Sequence, residues 1–283
     1  MHKLILLISL FLALNASSQK QIAYQIFNAQ GKKVSYKKMM KDINKSEILF
    51  FGEEHNNAIA HWLQLELTTQ LCSLKQDKVT LGFEMFESDQ QMLLNDYLGN
   101  LIKERVFLDS CRWSNYKTDY QPLIQLAKNK SLSCVASNIP RKYASMVYKE
   151  GRASLSKLSA DELELMCDIN YPIDTTLSQY KIVKEMAMHS NGDFLGAQAI
   201  KDATMAKFIH KYWKEGNFFI HFNGSFHSDF QQGIIWYLQQ YRPELNFRTI
   251  SVVSQDNVHS LEKESLNRAN YIICVPNTMT KTH

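Results

Sequence analysis

Residues 48–61 read ILFFGEEHNNAIAH. Four apolar residues, Ile48 to Phe51, run into Gly52, then Glu53, Glu54 and His55, then Asn56 and Asn57. An unbroken apolar run closed by glycine and followed by an amphipathic segment is the pattern of a buried strand, a tight turn and a helix start. Two carboxylates and an imidazole are thereby placed where a parallel strand hands over to a helix, which is where open α/β sheets build their sites. The bland alternative is a surface turn whose charges are simply solvated. Repetition argues against it, because other predicted strands end the same way.

Outward from this stretch, apolar runs predict strands over residues 78–86 (KVTLGFEMF), 131–137 (SLSCVAS), 217–222 (NFFIHF), 246–253 and 271–275, besides 47–51 itself. A weaker strand or hairpin is expected within residues 22–34. Leu63, Leu67, Leu71 and Leu74 recur at helical spacing, so residues 58–74 form a helix packed on the sheet, with Asn56 or Asn57 as its N-cap. Helices are also expected over 88–98, closed by Gly99, over 123–128, and over 231–241. Residues 141–216 show no strand pattern, only helical ones at 141–149, 160–167, 175–189 and 196–213. Met146, Met166, Met186, Met188 and Met205 in this region read as core filler. The fold class is α/β: a mostly parallel central sheet flanked by helices, with a small all-helical insertion subdomain at about 141–215. Residues 277–283 are expected to be a frayed tail.

The first 18 of the 283 residues look like a secretory signal peptide: Lys3, an apolar centre from Leu4 to Leu14, and Ala16-Ser17-Ser18 as a small-residue cleavage site. The apolar run is shorter than the roughly 20 residues a membrane span needs. No cysteine precedes Cys72 to accept a lipid anchor. The mature domain, residues 19–283, is expected to be soluble and periplasmic, with weak or no membrane association. Lys+Arg 32 against Asp+Glu 28 is too balanced to point to nucleic acid. The local cluster of Lys32, Lys33, Lys37, Lys38 and Lys41 reads as a solvated face. Five cysteines, without CxxC spacing, cannot all pair within one exported chain, so no disulfide framework is expected, although one bridge stays open.

The chemistry-bearing residues collect at the strand tips: Glu53 and His55, Glu84, Asn138 with Arg141, and Asn223 with His227. Glu84 stands alone among Phe83, Met85 and Phe86, and a carboxylate in such a run is costly unless paired or used. His55, Glu84 and His227 are a ligand set for a divalent metal. Glu53, His55, Glu84 and His227 could equally do metal-free acid–base work as a hydrolase, one carboxylate orienting the histidine that takes a proton. They could also line the pocket of a polar or metal-bearing ligand. No HExxH, GxSxG, GxGxxG or GxxxxGKS occurs, which argues against standard metalloproteases, α/β-hydrolases, dinucleotide enzymes and NTPases. His221, inside a strand, and His61, one turn into a helix, read as structural.

GEEHNN after a strand, GFEMF with Asp89-Gln90, Trp113, Tyr120-Gln121-Pro122-Leu123, Asn138-Ile139-Pro140-Arg141, Ala197-Gln198 through Asp202 to Ala206, and Asn223 to Asp229 together resemble the ChaN family of haem-binding uptake proteins. That family lies in a superfamily with Tiki-type proteases, TraB-like proteins and erythromycin esterases. The resemblance implies an α/β fold with a small helical subdomain and haem bound in a homodimer. It also implies a tyrosine on the iron and basic or histidine side chains on the propionates. Tyr116 and Tyr120, expected in a loop near Trp113, are the tyrosines to consider; packing of the insertion on the sheet is the alternative for both. Asn138, Arg141 and Asn223 are the other candidate cofactor contacts.

Overall fold

A computed structural model describes residues 22–283, apart from residue 190. The predicted leader lies outside the described residues. The chain runs β1 (Gln25–Asn28), α1 (Tyr36–Ile43), β2 (Ile48–Glu53), α2 (Ala58–Leu74), β3 (Val79–Glu87), α3 (Gln91–Leu98), α4 (Glu104–Ser110), α5 (Tyr116–Asp119), α6 (Gln121–Lys130) and β4 (Ser133–Asn138). It continues through α7 (Arg141–Glu150), α8 (Ala160–Glu164), α9 (Ser178–Met186), α10 (Phe194–Tyr212), β5 (Phe218–Gly224), α11 (Ile234–Tyr241), β6 (Phe247–Gln255) and β7 (Tyr271–Pro276). The sheet order is β1-β7-β6-β2-β5-β3-β4. All pairs are parallel except β1 with β7. Each strand predicted from an apolar run is present.

Strand alternation divides the apolar side chains between two layers. Leu49 and Phe51 of β2, Leu81 and Phe83 of β3 and Ile220 of β5 pack with Leu63, Leu67 and Leu71 of α2. Ile48 and Phe50, Val135 and Phe219 face the other way, onto α7, α10 and α11. The segment between β4 and β5 is all helical, as its pattern implied, and it forms this second layer. α10 is buried over most of its circumference, and Asp202 is the one charged residue among its buried positions. Met166 and Met205 fill this core, whereas Met186 and Met188 are exposed.

Three details place the site. β2 and β5 run on to Glu53 and Gly224, so the tip residues are paired strand residues. Gly52 must lack a side chain: a Cβ there would stand 2.8 Å from the Ser225 backbone. Between Phe83 and Glu87, β3 carries extra residues against β4, a bulge that re-aims the strand at its end. Finally, Asn57 caps α2, its side chain accepting from the Ile59 and Ala60 N–H groups at 3.1 Å each.

Two expectations are corrected. Residues 277–283 are not frayed: Lys281 bridges to Asn57 and Thr282 N donates to Asn56 O at 3.0 Å. Tyr116 and Tyr120 are not in a loop but in and at the end of α5, each 1% exposed. All five cysteines are free, and all but Cys111 are buried. Among the described residues no helix is long and apolar enough to cross a membrane.

Candidate functional site

Glu53, at the end of the central strand β2, is the hub of one half of the site. Its Oε1 accepts from Tyr120 Oη at 2.6 Å and lies 2.9 Å from His55 Nδ1. Its Oε2 accepts from Gln64 of α2. His61 is held in turn, with Nε2 donating to the His55 carbonyl at 2.9 Å and Nδ1 3.1 Å from Gln64 Oε1. The His55 ring packs beside Trp113 and its side chain keeps 37% exposure. Burial pulls the His55 pKa down, but the hydrogen bond it donates to Glu53 and the charges of Glu84 and Glu53 outweigh it, so the net shift is upward. With Nδ1 committed to Glu53, Nε2 is left to face Gly224 and Glu84.

The second half is a buried chain of three charges. His227 Nε2 lies 3.2 Å from Glu84 Oε1, and Nδ1 lies 2.5 Å from Asp202 Oδ1. Glu84 Oε2 accepts from Gly224 N at 2.7 Å. Tyr180 Oη donates to Asp202 Oδ2 at 2.8 Å, and the Gln198 amide stands 3.0 Å from His227 Nδ1. Burial opposes a charged His227, yet Glu84 and Asp202 on its two nitrogens push its pKa up to about 10. Burial likewise opposes an ionised Glu84, but His227, His55 and the Gly224 amide hold it well below the usual range. For Asp202 burial wins and the shift is upward. The halves meet at Gly224, where a Cβ would stand 2.9 Å from His55 Nε2 and 3.6 Å from Glu84 Oε2.

Glu53, His55, Glu84 and His227 therefore converge at the carboxyl ends of β2, β3 and β5. Other candidates do not join them. Asn223 is fully buried and spent on the strand: Oδ1 faces His221 Nδ1 at 3.0 Å and Nδ2 donates to Gly224 O and Ser228 Oγ, both at 2.9 Å. His221 also meets Ser137 Oγ at 2.8 Å, and burial lowers its pKa to about 4, so it is a neutral core histidine. Asn138 Oδ1 accepts from Ile139 N at 2.9 Å. The Tyr116 hydroxyl is enclosed among Phe86 and Phe107, and burial raises the pKa of both tyrosines. Both phenols are buried, and that of Tyr120 is spent on Glu53. His55, Glu84 and His227 do not form a metal cage: among the described residues no group of three or more His, Cys, Asp or Glu has that geometry.

Asp202 and Gln198 escaped the sequence reading as site residues. The available signal for Asp202 was a lone carboxylate in a helix whose other charged residues are all basic, set among Ala199, Ile200, Ala203 and Ala206. A second missed feature is a cleft on the helical layer. One lobe, about 340 Å³, is lined by Arg141, Ala144, Tyr148, Phe194, Gln198 and Lys201 among others. The adjoining lobe, about 710 Å³, shares Arg141 and Ser145 and adds Lys142 and Arg112. Arg112 is already held by Glu87 and Asp89. Arg141 and Lys201 have no ion-pair partner among the described residues. Gln198 joins this cleft to His227.

Residues 39–238 match the family model described as haem-binding uptake, Tiki superfamily, ChaN. No curated protein matches the chain in sequence. Among solved structures, ChaN of Campylobacter jejuni, described with cofacial haem, superposes with a TM-score of 0.67 at 16% identity, covering 88% of this chain and 96% of that one. A mutant erythromycin esterase in its open conformation gives 0.52 at 12%, covering 90% and 97%. A Bacillus cereus protein gives 0.53 at 10%, covering 90% and 95%. At these identities the likeness shows the shared fold.

Proposed function

The chain belongs to the ChaN family of haem-binding uptake proteins, and from that premise we propose that it binds haem as cargo, in the cleft beside α7 and α10. The observation that carries the location is the pair of unpartnered cations, Arg141 and Lys201, set in a cleft with Tyr148 and Phe194 on its wall. A flat apolar ligand bearing two carboxylates needs that combination: aromatic surface for its body and cations for its acids. Lys142 in the neighbouring lobe adds a third cation. Tyr148, half-buried on the cleft wall, is the phenol to test on the iron, in place of Tyr116 and Tyr120. Phenolate ligation suits ferric iron and capture.

Hemin titration tests the reading. The wild type is expected to give a Soret band of ferric-tyrosinate character with near-stoichiometric loading. Arg141→Ala with Lys201→Ala is expected to weaken binding about tenfold or more, and Tyr148→Phe to change the band's shape. An unchanged hemin spectrum in the wild type at micromolar concentration would overturn haem binding. Unchanged behaviour in the variants would move the site elsewhere. The proposal extends to an exported, periplasmic protein that dimerises on loading. N-terminal sequencing of the secreted product and sizing with and without hemin test those two parts.

A second reading is favoured by one observation: His55 Nδ1 is fixed by Glu53 while Nε2 faces Gly224 and Glu84. That is an oriented base beside an ionised carboxylate and a His227 held in its charged form by Glu84 and Asp202, the furniture of a hydrolase. An ester and peptide panel on wild type and His55→Ala decides it. Turnover in the wild type that the variant loses supports hydrolysis, and equal inactivity removes it.

A further inference from the structure

The segment after β7 crosses the turn that carries His55. Asn277 N donates to Gln255 O at 3.1 Å, Met279 packs on the core, and Lys281 forms an antiparallel bridge with Asn57. Thr282 N donates to Asn56 O at 3.0 Å, and Lys281 Nζ reaches Glu54 Oε2 at 3.4 Å. Contacts thus fall on both sides of His55 in the chain. At the far end, His283 Nδ1 lies 3.5 Å from Asp119 Oδ2. Asp119 is 2% exposed, and neither of its oxygens has a hydrogen-bond partner; His61 Nε2, at 3.8 Å, is its other near neighbour. Asp119 directly precedes Tyr120, which donates to Glu53, and His61 holds the His55 carbonyl. The end of the segment therefore touches Asp119, which adjoins both residues that brace the Glu53–His55 pair: it precedes Tyr120 in the chain and lies beside His61.

We propose that residues 277–283 are a strap with a closed and an open state, and that closure fixes the turn carrying His55. The two states follow from opposed terms. Closing makes a few backbone contacts, half-buries Met279 and adds two screened ion pairs, and the strap residues stay mostly exposed, so the gain is small. Closing also shuts water from Asp119, whose carboxylate then lacks hydrogen bonds, and this favours release. Segments held on such terms open locally without global unfolding. The strap thus governs the Glu53 half of the site while leaving the Glu84–His227 half untouched. The proposal does not depend on either functional reading.

Hydrogen exchange on the full chain tests it, together with diethyl pyrocarbonate modification of His55 and His61 read by peptide mass. Thr282→Pro removes the one N–H that ties the strap to Asn56, and deletion of residues 280–283 removes the strap's end. Both are expected to speed amide exchange over residues 54–57 by about tenfold or more and to speed modification of His61, with exchange in β3 and β5 unchanged. Equal exchange over residues 54–57 in all three proteins would overturn the strap. So would acceleration spread evenly through the sheet, which would report global destabilisation instead.

Discussion

The strand-tip cluster and the cleft on the helical layer share Gln198, yet they are built on opposite terms. In the cluster Glu84, His227 and Asp202 are buried, and each finds its counter-charge within the protein. In the cleft Arg141 is exposed, Lys201 is half-buried, and both lack a partner among the described residues. Burial makes pairing obligatory, because an unpaired charge in the interior costs far more than one at the surface. A cation left unpaired at the surface costs little and stays free for an incoming anion. The cluster is thus organised for internal electrostatics, while the cleft keeps the free cations that the proposed capture of haem needs.

Stability measurements should separate the two regions most widely. Glu84→Ala strips His227 of a buried counter-charge and is expected to cost about 3–5 kcal/mol in urea unfolding. Arg141→Ala removes an exposed side chain and is expected to stay within about 0.5 kcal/mol of wild type. Comparable losses from both would erase the contrast. Glu84→Gln keeps the volume and the acceptor for Gly224 N, so it should fold and lose part of that amount.

The pH dependence sharpens the contrast. His227 has its pKa raised from 6.5 to about 10 in the folded protein, by Glu84 and Asp202 acting against burial. Its stabilisation is therefore complete below 6.5 and is lost as pH climbs through about 10. Glu84 has its pKa lowered, so its contribution is present above its ordinary 4.5 and fades as pH falls toward the folded value. Stability should peak between those limits and decline on both sides. His227→Gln should flatten the alkaline limb, while Arg141→Ala should trace the wild-type curve. An alkaline limb that survives His227→Gln would assign it to another group.

How much of this was legible in the sequence follows the same division. Strands announce themselves through apolar runs, so Glu84 between Phe83 and Met85 stood out, and the residues beside it in space were each found at their own strand tip. Asp202 was harder: it arrives from a helix more than a hundred residues after Glu84, and only its isolation among Ala199, Ile200, Ala203 and Ala206 marks it. The cleft was not legible. Arg141 is marked by its place beside Asn138 at the tip of β4, but Tyr148, Phe194 and Lys201 are ordinary helix-surface residues in sequence, and only the packing of α7 against α10 gathers them around it. A segment with few apolar runs reads as a loop, which leaves Tyr116 and Tyr120 open between ligand and packing roles. Its aromatics instead build a core against Phe86 and Phe107. The strap was invisible too, because its tethers are backbone groups and single side chains, Met279, Lys281 and His283, which form no pattern.

The smallest expected effect lies at the rim of the cleft. Arg112 is 46% exposed and donates to Asp89 at 2.9 and 2.8 Å as well as to Glu87. Two carboxylates already claim its charge, so it offers an anionic ligand little directly. Its role there is to cancel Glu87 and Asp89, which line the same lobe as Arg141 and Lys142. Arg112→Ala uncovers both carboxylates and should weaken hemin binding only a few-fold, about 0.5–1 kcal/mol, through repulsion across the lobe. Repulsion of that kind acts through solvent and is screened, so the deficit should shrink toward zero as salt rises and the screening length falls to about 3 Å near 1 M. Direct contact between Arg112 and the ligand predicts the contrary, a deficit that persists in salt. Titrations of wild type and Arg112→Ala at low and high ionic strength distinguish the two, and a persistent deficit would place Arg112 among the ligand-holding cations with Arg141.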